Sequence, residues 1–259
     1  MIKVDRVVRS DCFSFLSKVE DGTVDLALID PPYNLGKGDW DTFESQEAFL
    51  DFTFSWLQEV IRTLKPDGSL YVFNTPLNSA FIANFLINKG LHYRNWLTWD
   101  KRDGFAGGTK RFVPQQETIL YFSKSNKPYF AANDVRVPYE STDRIKHAAH
   151  KGILKNGKRW FPNPNGRLCG DVWHFSSHRH QNKVNGRLVK GVHPTPKPLE
   201  MIERMILAST RPGELVLDCF AGTGTTAVAA IKNDRKFIGC DNVQEYVKHA
   251  NECIKNVAK

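Results

Sequence analysis

Apolar positions along the 259-residue chain follow two alternating patterns. Short runs of aliphatic and β-branched residues are followed by stretches with an apolar residue every three or four positions. This predicts an α/β fold with a mainly parallel sheet. Val24–Ile29 reads as a buried strand introduced by the Asp21-Gly22 turn. Leu50, Phe54, Leu57, Ile61 and Leu64 form one helical stripe, Pro66-Asp67-Gly68 closes that helix, and Ser69–Phe73 is the next strand. A helix around Ser79–Asn88 leads to strands near Tyr93–Trp99 and Thr118–Phe122. Further on, Pro198 stands in the first turn of a helix reaching about Ala208. Glu214–Asp218 is a strand running into a glycine-rich turn, with a helix from about Thr225. Lys236–Cys240 is a strand ending at Asp241, and Val243, Val247, Ala250, Ile254 and Val257 share one face of a last helix.

In open α/β sheets, ligands bind at the carboxyl ends of strands. Two such ends carry unusual residues: Asp30-Pro31-Pro32-Tyr33, and Phe220-Ala221-Gly222-Thr223-Gly224-Thr225-Thr226. Gly222-x-Gly224-x-x-Ala227 fits the dinucleotide fingerprint in its G-x-G-x-x-A form. Its glycines permit a tight turn and a close ligand, and the following helix amides face negative charge. Asp241, 19 residues after Gly222, stands where a carboxylate commonly holds ribose hydroxyls. These features predict an adenosine-containing ligand and do not separate NAD from S-adenosylmethionine. In Asp30-Pro31-Pro32-Tyr33 two prolines remove two backbone donors and enforce extended geometry. Carbonyls and a carboxylate beside an aromatic face suit an exocyclic amine on a flat base. Standing alone, the same residues would read as an ordinary Pro-Pro turn.

Composition adds the setting. With 41% hydrophobic and 25% charged residues, the chain reads as an ordinary globular protein: one large domain, or one domain with an insertion. The charged opening Met1–Arg6 lacks the apolar stretch of a signal peptide, and no apolar run approaches the roughly 18 residues of a membrane span. Five scattered cysteines (Cys12, Cys169, Cys219, Cys240, Cys253) without a Cys-x-x-Cys pair point to a reducing compartment. The expectation is a cytoplasmic protein without membrane contact. The formal net charge of +8 is concentrated: residues 133–192 hold twelve Lys/Arg against four Asp/Glu, and the remainder is neutral. Five of the eight histidines lie in the same segment, with Trp160, Phe161, Trp173 and Phe175 interleaved. Cations with aromatics suit nucleic acid; a solvated, loop-rich insertion is an equally open reading. His178-x-His180 is too short a pairing for a metal and has no accompanying ligands, so no metal site is expected.

Taken jointly, the motifs resemble the beta-class DNA methyltransferases, which methylate exocyclic amines and place D-P-P-Y before F-x-G-x-G; those of type II restriction-modification systems that act on adenine N6 are the nearest match. The resemblance rests on Asp30-Pro31-Pro32-Tyr33-Asn34, Trp99-Asp100-Lys101, Glu117-x-x-Leu120 and His193-Pro194-Thr195-Pro196-Lys197-Pro198. It extends through Asp218–Thr226 and through Arg235–Asp241 to Tyr246. It covers Ser10 to the C-terminus apart from the basic segment, and Pro196 departs from the usual Gln. The resemblance implies a Rossmann-like, S-adenosylmethionine-dependent fold with circularly permuted motifs. Residues 1–132 and 193–259 would form the catalytic and cofactor-binding domain, and 133–192 a target-recognition insertion.

By the same resemblance, Tyr33 stacks on an adenine flipped out of duplex DNA, while Asp30 and the Pro31 carbonyl, with Pro32 beside them, accept hydrogen bonds from its amine. Phe220, Gly222 and Gly224 hold the methionine portion of the cofactor. Thr225 and Thr226 cap the helix, Asp218 ends its strand, and Asp241 takes the ribose. Asp11 matches an acid near the cofactor adenine, with Cys12 and Phe13 beside it, and reads equally as a helix N-cap. Lys197 pairs with the methionine carboxylate or lies on the surface. The implied partners are double-stranded DNA and, functionally, a cognate restriction endonuclease; a homodimer fits without any residue demanding it. Rival readings are a cytosine-N4 enzyme of the same class, a methyltransferase for RNA or protein glutamine, a catalytically silent DNA-binding module and an NAD-dependent oxidoreductase. The oxidoreductase would use the glycine turn but has no need of Asp30-Pro31-Pro32-Tyr33.

Overall fold

Val24–Ile29 (β2) is buried at every position, as an apolar run must be when helices cover both faces of its sheet. The computed structural model describes residues 3–101, 110, 112–176, 183–184, 187–188 and 197–257. Before β2 come β1 (Arg6–Arg9) and α1 (Cys12–Leu16); after it come α2 (Gln46–Thr63), β3 (Leu64–Asn74), α3 (Pro76–Asn88), β4 (His92–Asp100) and β5 (Gln116–Ser123). The basic segment holds α4 (Thr142–Lys151), a hairpin of β6 (Ile153–Lys155) and β7 (Lys158–Trp160), then β8 (Val172–His174), β9 (Lys183–Val184) and β10 (Arg187–Leu188). The chain closes with α5 (Leu199–Ser209), β11 (Leu215–Asp218), α6 (Thr225–Lys232), β12 (Lys236–Asp241) and α7 (Gln244–Val257).

Eight strands form one sheet in the order β1-β12-β11-β2-β3-β5-β4-β8. All neighbours are parallel except where β5 runs against β3 and β4. From β2 the chain builds outward through β3, and from β11 outward through β12 in the opposite direction. The order therefore reverses between β2 and β11, where such sheets open a crevice at their carboxyl ends. Alternation along β2 divides the core: Leu26 and Leu28 pack with Met201, Met205 and Ala230 on one face. Ala27 and Ile29 pack with Phe15, Trp56 and Ile82 on the other. Inside this core Asp25 accepts from the Lys65 ammonium at 2.6 Å and from the Leu215 amide at 2.8 Å, tying β2 to both neighbours.

Two local expectations are corrected. The buried face of α2 is Phe49, Thr53, Trp56, Leu57, Val60 and Thr63. Leu50, Phe54 and Ile61 are half-buried instead. The helix is apolar over a wide arc, and tertiary packing chooses the face; Phe54 leaves the sheet to stack on Phe85 of α3 at 4.4 Å. Leu64 and Pro66-Asp67-Gly68 belong to β3, where the pairing with β2 shifts register between Val24 and Leu26. The edge strand β1 and the short α1 escape sequence patterning, because four and five residues are too few to show a period. The basic segment is loop-rich as expected among its described residues, but β8 joins the main sheet beside β4, and Trp173 enters the core. The pair His178 and His180, the stretch His193–Pro196 and part of the insertion lie outside the described residues.

Gly239 lets β11 and β12 close over the Phe237 ring. A Cβ there would lie 2.5 Å from the Asp218 carbonyl oxygen and 2.4 Å from the ring. Gly239→Ala is expected to destabilise the fold by about 1–3 kcal/mol, seen as a lower midpoint in thermal unfolding; an unchanged midpoint would contradict this packing.

Candidate active site

β2 ends at Ile29, and the next residues turn across the mouth of the crevice with Pro31, Pro32 and Tyr33 buried. Two prolines leave this turn short of donors, and its shape is imposed from the following loop. The Asp41 carboxylate, 1% exposed, accepts from the amides of Tyr33 at 2.6 Å and Asn34 at 2.9 Å through one oxygen. Its other oxygen accepts from Leu35 at 3.0 Å and Lys37 at 3.2 Å. Positive φ angles at Asn34 (60°) and Gly36 (65°) let consecutive amides converge on one anion. From α3, the Asn78 amide donates to the Tyr33 carbonyl at 2.9 Å and to Asn74 Oδ1 at 2.9 Å, fixing the far side of the turn.

The turn brings Asp30 and Tyr33 into a buried charged cluster. Lys197, just ahead of α5, places its ammonium 2.7 Å from Asp30 Oδ2 and 3.5 Å from Glu117 Oε2. Glu117, on β5, also pairs with Lys101, just past β4, at 2.9 Å. The Tyr33 hydroxyl lies 2.8 Å from Asp30 Oδ1 and 3.2 Å from Glu117 Oε2. The rings of Phe73, Tyr33 and Trp99 stand 5.2, 5.4 and 5.9 Å from the Lys197 ammonium, a cation–π enclosure. Burial pushes the Lys197 pKa down, but the Asp30 and Glu117 charges outweigh it and raise its pKa. Burial likewise pushes Glu117 up, yet the Lys197 and Lys101 ammoniums prevail and hold it at about 2. Burial also pushes the Tyr33 hydroxyl upward, with the same carboxylates adding to the shift, so it remains a proton donor.

On the other side of the switch point, β11 ends in Asp218, 2% exposed, which accepts from the Phe220 amide at 3.0 Å and from the Thr226 side chain. Burial raises its pKa to about 7 against those bonds, and the Asp30 and Asp241 charges add to the rise. Asp241, ending β12, accepts from Gly222 N at 2.8 Å and Val243 N at 2.9 Å, and burial raises its pKa as well. Gly224 has φ 86° and packs so closely that a Cβ would meet Ala250 at 2.7 Å. It is itself the N-cap of α6, without a side-chain cap bond. Thr225 and Thr226 are thus the first helical residues and not the cap; a left-handed glycine makes the turn, and the Thr226 hydroxyl goes to Asp218. Phe220, Phe52, Phe43 and Phe13 form a chain of rings, with Phe52 at 6.3, 5.3 and 5.8 Å from the other three.

Both halves open into one cleft of about 370 Å³. Asp11, Cys12, Phe13, Asp30, Pro31, Pro32, Tyr33, Lys197, Asp218, Phe220, Gly222, Thr225, Thr226 and Asp241 all line it, while Gly224 sits behind the wall. Asp11 is the N-cap of α1, its Oδ1 accepting from Ser14 N at 2.9 Å, and that bond lowers its pKa. Burial pushes the Cys12 thiol up to about 12, away from nucleophilic chemistry. Sequence patterning assigns no role to Asp41, Asn78, Phe43 or Phe52, and none to Glu117 beyond its place in a motif. Asp41 left one signal: the glycines and Asn34 after Tyr33 mark a loop whose amides need an acceptor. Among the described residues, no set of His, Cys, Asp and Glu forms a metal cluster, and no helix is long and apolar enough to cross a membrane.

Comparison with known proteins identifies the family and the fold. The DNA methylase family matches residues 24–252. The type II methyltransferase M1.MboII of Moraxella bovis is 60% identical over 251 residues, spanning 97% of this chain and 96% of that protein. The type II methyltransferase M.HpaI of Haemophilus parainfluenzae is 34% identical over 254 residues, spanning 95% and 73%. Among solved structures, the complex of M1.HpyAVI with SAM aligns with a TM-score of 0.61 at 23% identity, over 95% of this chain and 98% of that one. The PvuII DNA methyltransferase (cytosine-N4-specific) aligns at 0.70 and 19% identity, over 97% and 90%; both likenesses are in fold. With a switch-point crevice that bears Asp30-Pro31-Pro32-Tyr33 on one lip and the glycine turn on the other, the chain belongs to the DNA methylase family.

Proposed function

We propose that the protein transfers the methyl group of S-adenosylmethionine to the N6 amine of an adenine flipped out of duplex DNA, as the modification half of a type II restriction-modification system. The observation that carries this reading is the Asp30 cluster: a carboxylate with fixed partners, beside a buried tyrosine ring, at the mouth of a cleft suited to a nucleoside. Asp rather than Ser at position 30 favours adenine over cytosine N4, by resemblance to the class.

The cleft fits the cofactor in shape and charge. Its aromatic wall of Phe13, Phe43, Phe52 and Phe220 offers a face to adenine, and Asp241 stands at the end of β12 for the ribose. Asp218 is a buried acid poised to lose its proton beside a cation. When bound, S-adenosylmethionine supplies an electrophilic methyl that the amine nitrogen takes as the carbon–sulfur bond breaks. The chain's own residues position the amine. Each carboxylate oxygen accepts more than one hydrogen bond, so Asp30 can serve Tyr33, Lys197 and an amine N–H together, while the Pro31 carbonyl takes the second N–H. These bonds aim the nitrogen lone pair at the methyl, and positioning of this kind dominates the rate. Once nitrogen gains its new bond, the excess proton leaves along the N–H held by Asp30 and passes to water. Residues 133–192, with exposed Trp160 and Phe161 among their cations, supply groove and phosphate contacts.

The direct test is transfer of labelled methyl to mixed-sequence duplex, with digestion to nucleosides. Label is expected in N6-methyladenine, and Asp30→Ala should abolish it with cofactor binding intact. Label in N4-methylcytosine would overturn the base assignment, and a fully active variant would sink the mechanism.

Glu117→Gln leaves Lys197 with one carboxylate. It is expected to lower kcat by up to about 100-fold with KM for the cofactor little changed. Because Glu117 titrates at about 2 when folded against an ordinary 4.5, its contribution to stability is present above 4.5 and lost as pH falls toward 2. The deficit in thermal midpoint of Glu117→Gln should therefore shrink over that window. Asp218 has the opposite sign. Its unfolded form releases its proton near 3.8 while the folded form holds it to about 7, so the folded state loses stability as pH rises between those values. Asp218→Asn, free of that loss, should unfold at a higher temperature than the parent at about pH 8, with the gap closing toward about pH 4, and should bind cofactor more weakly.

A further inference from the structure

A second concentration of charge lies at the sheet edge remote from the basic insertion. Lys3, Arg6, Arg9, Lys18, Lys248 and Lys255 line a groove of about 730 Å³ formed by β1, α1 and α7, with Glu252 the one acid in its walls. All six cations are exposed, and none has an ion pair or side-chain hydrogen bond among the described residues. Several cations elsewhere have acidic partners, as Arg62 has Asp21 and Glu59, Lys65 has Asp25 and Lys232 has Glu203. Six like charges held together against one acid repel one another and are relieved by an external anion.

Protection of an edge strand is the simpler reason for such residues, but this edge is already covered. The Asn251 side chain of α7 accepts from Val7 N at 3.1 Å and donates to Val7 O at 2.8 Å, taking the place of a neighbouring strand. Ser10 lines both the groove and the active-site cleft. Eight strands at about 4.8 Å spacing carry the sheet roughly 34 Å from β1 to β8, the length of about ten base pairs. The Asp30 site, on β2, is three strands in from β1. A duplex crossing the carboxyl ends of the strands would thus meet the insertion at one end, the flipping site in the middle and, at the other end, the open end of the groove at Arg9 and Lys248.

We propose that this groove binds the phosphate backbone of the substrate duplex on the side of the target base opposite the 133–192 insertion. The proposal rests on the DNA methyltransferase reading above and adds a second anchoring surface to it. Six cations clustered on one face of this edge are enough to contact about one to three phosphates of one strand.

The test is the salt dependence of affinity for a duplex extending at least about ten base pairs on both sides of the modified base. Lys18→Gln, Lys248→Gln and Lys255→Gln are combined in one variant, with the corresponding triple Arg variant as a control for folding. Each phosphate that a side chain no longer neutralises lowers the slope of log K against log salt by about one. The Gln variant is expected to fall short of the parental slope by between about one and three units, and to show a raised KM for DNA with kcat and cofactor affinity unchanged. The Arg variant is expected to keep the parental slope. If the parent binds and methylates DNA and the Gln variant shows the same slope, the groove proposal falls alone. If both triple variants depart from the parental slope equally, the effect is structural and the proposal also falls. If the parent neither binds nor methylates duplex, the functional reading falls and the groove goes with it.

Discussion

An ammonium group buried in a protein interior demands anions close by, because the loss of water is otherwise prohibitive. Lys197 meets that demand at the meeting point of four elements. Asp30 comes from the end of β2, Glu117 from β5, Trp99 and Lys101 from the end of β4, and Lys197 itself from the entry to α5. Removing any one charge leaves another uncompensated, so the cluster holds the segment ahead of α5 against the Asp30–Tyr33 turn. The carboxylate proposed to meet the substrate amine is thereby oriented by the same contacts that close the fold around it. Lys197 is satisfied from the Asp30 side of the cleft, a different set of partners from the cofactor carboxylate that the motif resemblance implies.

The turn itself obeys a second constraint. A Pro-Pro sequence cannot organise its own amides, so the following loop supplies order through Asp41, whose two oxygens gather four backbone N–H groups. Across the switch point the logic is similar: Asp241 gathers the Gly222 and Val243 amides, and Asp218 gathers the Phe220 amide. Acidic side chains at strand ends thus act first as scaffolding for loops. What lone-pair capacity remains faces the cleft, where the proposed function places a cationic nucleoside at one end and an amine at the other.

Charge is divided between the two edges of the sheet. The insertion carries the net positive charge of the chain and is not separate from the catalytic body, since β8 continues the sheet and the Trp173 and Phe175 rings pack beneath the Arg204 guanidinium. The β1 edge holds a smaller group of cations that the charge tally along the chain conceals, because most of the acids that balance them in number within the neutral 199 residues lie outside the groove, Glu252 alone lining it.

Much of this was readable from the chain itself. The bounds of β2, the strand before the glycine turn and the chemistry of both strand-end motifs follow from local properties: buried runs, proline without a donor, and glycine free to adopt positive φ. The face that α2 buries was not readable, because its apolar arc is wider than the surface it covers and the sheet decides between neighbours. Nor were the partners of the site. Asp41 acts across a separation of 8 residues, Asn78 across 45 and Glu117 across 84, and no local pattern records a contact formed by folding. The sequence by itself determined which elements form and which functional groups stand at their ends, since both depend on backbone chemistry within a few residues. Only the tertiary structure decided which charge neutralises which, because that depends on distance through space and on the water excluded when the elements pack.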